Sequence, residues 1–228
     1  MSRAAMNGVR GVVWSLVAVG GLAACGPLSY TVDRELLRDV SVENKLILFD
    51  AENDVSIALD ERENLRRQIM DLRQDIRDAE AQILEANSDR DRYAEKGDQE
   101  RVGVSELAVD VYELKIDWLE ERISLARERL SMQDRLIMVA AAKYELAKAK
   151  LVKNYNVRGA ADLELVDYEA QVDAQVEQAK SSQADLTEAE AVVAEAEKVW
   201  QAKREELRKA SGGGQGTAWA DDGDLWGK

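Results

Sequence analysis

Residues 48–95, LFDAENDVSIALDERENLRRQIMDLRQDIRDAEAQILEANSDRDRYAE, carry the pattern that decides the fold. One column at seven-residue spacing holds Leu48, Val55, Arg62, Ile69, Ile76, Ile83 and Arg90. Its partner column holds Ala51, Ala58, Leu65, Leu72, Ala79, Ala86 and Tyr93. Alternation at four-three spacing is the seam of a coiled coil, and the positions between are filled by Glu, Asp, Arg and Gln. An isolated amphipathic helix would not hold a 3.5-residue period over this length. Arg62 and Arg90 interrupt the seam. Charged seam residues of this kind set alignment at some cost in stability.

Outward from this stretch the pattern is interrupted twice. Glu95 to Gly103 holds two glycines and no apolar anchor, which predicts a loop. A second helix is then predicted over about 104–154. One of its seams runs Val109, Tyr112, Ile116, Leu119, Ile123, Ala126, Leu130, Gln133, Ile137, Ala140, Tyr144, Ala147 and Leu151. A separate seven-residue row holds Val104, Val111, Trp118, Leu125, Met132, Val139 and Leu146. One partner cannot cover both rows, so this helix needs two neighbours. Asn154 to Gly159 predicts the next break, because Asn and Gly tolerate left-handed backbone. Asp162 is placed to cap a third helix over 162–210, with the column Leu165, Val172, Ala179, Leu186, Val193, Trp200 and Leu207.

The expectation is an all-α fold of long antiparallel coiled-coil helices, an up-down-up three-helix bundle with helices over about 43–95, 104–154 and 162–210. The alternative keeps the second and third helices continuous through Tyr155, with the first folding back on that rod as a long hairpin. Residues 25–42 are expected to be a spacer, helical in part between Val32 and Val40. Residues 211–228 are expected to be a flexible tail, with a Gly212–Gly216 linker followed by Trp219, an acidic cluster and Trp226. The two tail tryptophans have no core to join, and are candidate anchors for docking on a partner.

Residues 1–24 have a different character. Arg3 and Arg10 precede an apolar run from Val12 to Leu22, too short to span a bilayer comfortably. Leu22-Ala23-Ala24-Cys25 closes it, and Cys25 is the single cysteine of the chain. The order is that of a secretory signal peptide, and its last four residues resemble the lipobox of bacterial lipoproteins. The resemblance implies cleavage before Cys25, acylation of its sulfur and amine, and attachment to a membrane by covalent lipid. Two or three acyl chains make such attachment effectively permanent. In that family an Asp after the cysteine commonly retains the protein at the inner membrane of two-membrane bacteria. Gly26 therefore implies the outer membrane, facing the periplasm.

Composition narrows the function. The formal charge is −14, and loss of residues 1–24, which hold two arginines and no acid, takes it to −16. Such a chain repels nucleic acid and anionic surfaces. Histidine is absent, and aromatic residues make up only 5% of the chain. Common metal and nucleophile arrangements therefore lack their ligands, and no cofactor, metal site or enzymatic activity is expected. Asp221-Asp222-Gly223-Asp224 lacks the ligand spacing of a calcium loop.

The layout of acylated cysteine, heptad rod and terminal lysine resembles Braun-type lipoproteins, whose terminal lysine is joined to peptidoglycan. The resemblance implies attachment through Lys228, although the ending here is Trp226-Gly227-Lys228 where that family has Tyr-Arg-Lys. Tyr155, Gly159, Asp162, Leu163 and the Ala-rich run to Leu186 resemble helical parts of outer-membrane efflux proteins. Nothing in the chain alternates over enough residues to supply the β-strands of that family. The expected role is a structural tether or scaffold in the envelope. The alternative is an accessory subunit of a transport, secretion or motility complex, docking or self-associating through its helices.

Overall fold

The computed structural model describes residues 28–212. Two short helices, α1 (Arg34–Arg38) and α2 (Val42–Lys45), and a 3-10 turn (Leu46–Leu48) lead into α3 (Phe49–Glu95). Then follow α4 (Gln99–Asn154), α5 (Leu165–Ser181) and α6 (Gln183–Ala210). The architecture is all-α. Three antiparallel rods run side by side: α3, α4, and α5 continued by α6.

The turns explain why the rods are antiparallel. At the end of α3, Gly97 takes φ +73°, a conformation that costs a side chain dearly and glycine little. The Asp98 amide then donates to the Tyr93 carbonyl (3.0 Å) and the Gly97 amide to the Ala94 carbonyl (3.0 Å). This is the pair of bonds that closes a helix C-terminus. Asp98 goes on to cap α4, accepting from the Arg101 amide at 3.2 Å. The end of α4 repeats the device with Asn156 at φ +51°. The Val157 amide donates to the Val152 carbonyl (3.0 Å), and both side chains are buried. That reversal excludes a second helix continuous with the third.

The two rows of the second predicted helix find two different neighbours. Leu119, Ile123 and Ala126 meet Ile69 and Leu72 of α3, and farther along Ala108 meets Ala79 and Ala86. On the other row, Trp118 stacks on Trp200 of α6. Arg129 pairs with Glu190 (2.9 Å), and Lys150 with Glu169 of α5 (3.2 Å). The α3 rod touches α5 and α6 hardly at all, so α4 is the shared middle member of an open layer. It accordingly holds fifteen buried residues against four in α3. Polar seam positions make cross-rod contacts. Gln133 Nε2 donates to the Ala58 carbonyl (2.8 Å), and Arg62 Nε lies 3.0 Å from Asp134 Oδ1, though off its N–H direction.

Several boundaries differ from the sequence-based expectation. The first helix starts at Phe49, not at 43, because the 3-10 turn Leu46–Leu48, with Leu48 turned into the end cluster, parts it from α2. The second helix starts at Gln99, not at 104, because Asp98 caps it there. Gly103 sits inside the helix at an exposed position, where it costs about 1 kcal/mol relative to Ala. The third helix starts at Leu165, and Asp162 lies in the preceding turn without capping it.

That helix is also broken at Ser182. The Ser182 amide reaches the Ala179 carbonyl (3.3 Å), one residue short of helical pairing. Arg135 of α4 takes the Gln178 carbonyl (2.7 Å) and Ser181 Oγ (3.0 Å). Adjacent serines, which compete locally for backbone partners, favour this break. Finally, the part of the expected 25–42 spacer that is described is folded onto the rods. Val32 and Val40 are buried there, because α4 and α5 offer an apolar end to cover.

Candidate functional site

Two ends and a middle carry the side chains of interest. At the first end, Val32, Val40 and Leu48 close over Ala149, Val152 and Tyr168. Gln171 grips the backbone of Tyr30 twice, accepting from its amide (2.9 Å) and donating to its carbonyl (3.0 Å). Tyr168 Oη donates to the Thr31 carbonyl (3.2 Å), and the Val32 amide donates to Glu145 Oε2 (2.8 Å).

Glu145 also pairs with Lys148, whose ammonium lies 4.2 Å from the centre of the Tyr144 ring; both members of the pair are largely buried. Burial, reinforced by Glu145 and Asp167, raises the Tyr168 phenol above its ordinary value. Burial with Glu52 and Glu145 does the same at Tyr144. Both phenols therefore stay protonated, and the Tyr168 donor is kept. These are groups that hold a chain in place. Their raised pKa values are the opposite of what a nucleophile or base needs.

In the middle, the Trp118 and Trp200 rings stack at 4.6 Å with planes 15° apart. The Arg122 guanidinium lies 4.7 Å from the Trp118 ring centre, and that of Arg204 lies 5.8 Å from the Trp200 ring centre. Both indole nitrogens are buried without a hydrogen-bond partner. The pair fastens α6 to α4.

At the far end, the α3–α4 turn and the end of α6 enclose an open cleft of ≈ 500 Å³. Tyr93 lies there beneath Arg92 (5.0 Å) and Arg101 (5.3 Å), and these arginines are held by Asp89 and Asp98. Ser211 and Gly212, the last described residues, form part of the rim.

Of the site residues read from the sequence, Cys25, Trp219, Trp226 and Lys228 all lie outside the described residues. Sequence reasoning missed the clamp of Tyr30 by Gln171. The available signal was the apolar spacing of Val32, Leu36 and Val40, which marks a face needing cover. Among the described residues no three acidic, His or Cys side chains gather where a metal ion could sit. No helix among them is long and apolar enough to cross a membrane. Comparison of the chain with family models, with curated proteins and with solved structures finds no match.

Proposed function

We propose that the chain is a lipid-anchored protein of the cell envelope, facing the periplasm from the outer membrane, whose rod acts as a tether or scaffold. The observation that supports this reading most is the path of the chain. The described residues begin beside Tyr30 at one end of the layer and stop at Gly212 at the other. The 56 residues of α4 between those ends span about 84 Å at 1.5 Å per residue. An attachment at Cys25 and an engagement by the tail would thus be held apart by a stiff acidic spacer. Labelled palmitate entering the wild-type protein and not Cys25→Ser is the expected result; equal absence from both refutes the anchor.

The second reading is an accessory subunit that docks helix on helix. It is favoured by the open strip between α4 and α6, where Val192 and Val199 stand half exposed among Glu120, Glu121 and Glu195. In vivo crosslinking from residue 219 separates the two. Peptidoglycan fragments recovered on the tail, including at Lys228, support the tether. A single transport, secretion or motility complex supports the accessory role. Unchanged capture by the pair Trp219→Ala and Trp226→Ala would dismiss tail docking.

A further inference from the structure

Four large apolar side chains stand in the open within eight consecutive residues: Val42 (74% exposed), Leu46 (66%), Ile47 (70%) and Phe49 (66%). Val42, Leu46 and Phe49 follow at i, i+4 and i+7, the spacing of one helical face. The opposite side of the same segment is pinned, because Leu48 is buried in the end cluster with Val32 and Val40. An element fixed from behind and apolar in front is built to meet a surface.

We propose that residues 42–49 lie on the bilayer surface as a second membrane contact beside the acylated cysteine. The inference rests on the lipid-anchor reading. Its argument is position. The segment sits on the cluster that also receives the first described residues, and Tyr30 is clamped there by Gln171. Cys25 precedes Tyr30 by five residues, a reach of at most about 18 Å of extended chain. Acyl chains on Cys25 would therefore keep the bilayer within a short distance of this patch. An apolar face of this kind enters the headgroup boundary by about 5–10 Å.

A second copy of the chain is a poor occupant. Four side chains offer a few hundred Å², against about 800 Å² per partner in a stable interface. Glu43, Asp50 and Glu52 flank the patch and outnumber Lys45, so the surface it fits is zwitterionic rather than anionic.

The test uses the full chain, processed and acylated in its host, with Glu43→Cys or Glu100→Cys carrying an environment-sensitive fluorophore. Acylation consumes Cys25, so the introduced thiol is the only one labelled. In vesicles of phosphatidylethanolamine and phosphatidylcholine with shallow nitroxide lipids, the probe at 43 is expected to be quenched at least about twofold more than the probe at 100. The excess should vanish in V42S/L46Q/I47Q/F49S at unchanged helical circular dichroism. Equal quenching at 43 and 100, with acyl chains present on the Cys25 peptide by mass, overturns the inference and leaves the anchor standing. An unacylated peptide overturns both. A probe at 43 shielded from quencher, in a particle of twice the chain mass, assigns the patch to a second copy and overturns the inference.

Discussion

Replacing Trp200 by Ala should detach α6 while leaving the α3–α4 hairpin in place. The largely buried indole removes roughly 150 Å² from water, or about 4 kcal/mol at 25 cal/mol per Å². Its offset stack on Trp118 adds about 1 kcal/mol beyond area. Against this, the substitution deletes one buried indole N–H that has no partner and opens the Trp118 N–H to water, returning about 1 kcal/mol. The open edge of α6 lets solvent fill the space, so no sealed cavity is left behind.

The net loss of about 4 kcal/mol should fall on α6 alone, because α6 rests on α4 and scarcely touches α3. Amide hydrogen exchange by mass spectrometry reads this directly. Amides over 186–207 should exchange roughly 700-fold faster, and those over 65–86 should hardly change. The double variant with Trp118→Ala should show a coupling of about 1 kcal/mol. Equal acceleration in α3 and α6 would refute the open-layer account. A coupling near zero would show that the stack contributes only area.

Gln171→Ala removes both bonds to the Tyr30 backbone and should cost about 1–2 kcal/mol locally, read as faster proteolysis around residues 28–33 with unchanged helicity. Gly159→Ala forces a side chain into φ +94° and to 3.3 Å from Leu36 Cδ2. It should destabilise by about 1–2 kcal/mol and expose residues 34–40 to exchange before the rods respond. Tyr144 and Tyr168 have raised pKa values, so their contribution is complete below the unfolded phenol value of about 10. It is lost as pH rises through the folded values, and alkaline titration of helicity should show the end cluster failing first. Glu205 is lowered to about 2, chiefly by its hydrogen bonds to Arg208. Its contribution is present above the ordinary carboxylate range and is lost as pH falls towards 2, where NMR should show the last turn of α6 fraying before its middle.

The seven-residue columns carried most of the fold because every apolar position on a long rod reports which face is covered. The second row on α4, from Val104 to Leu146, fixed the need for two neighbours. The Asn154–Gly159 break, with Asn156 left-handed, fixed the return. Gly103 misled because a capping Asp98 and an exposed helical position offset the ordinary penalty of glycine. The break at Ser182 was hidden because Ala179 and Leu186 keep the seven-residue column across it. The guanidinium that stabilises it, Arg135, comes from another rod. The spacing of Val32, Leu36 and Val40 marks a face needing cover, but not its partner: Gln171 lies 141 residues from Tyr30 and carries no periodic signature. Cys25 and the tail were read from local motifs alone, and such motifs need no fold to be seen.

The break at Ser182 also governs how the molecule would behave under tension. Residues 30–32 are bonded to Gln171 and Tyr168 of α5 and to Glu145 of α4, and the last described residue, Gly212, follows the end of α6. Load applied between those points runs first through α5 and α6, with α3 bypassed. The helical hydrogen-bond ladder along that path is interrupted at Ser182, and there Arg135 braces it from α4. If the chain carries load, stretching should therefore begin at this junction, about a third of the way along the rod formed by α5 and α6.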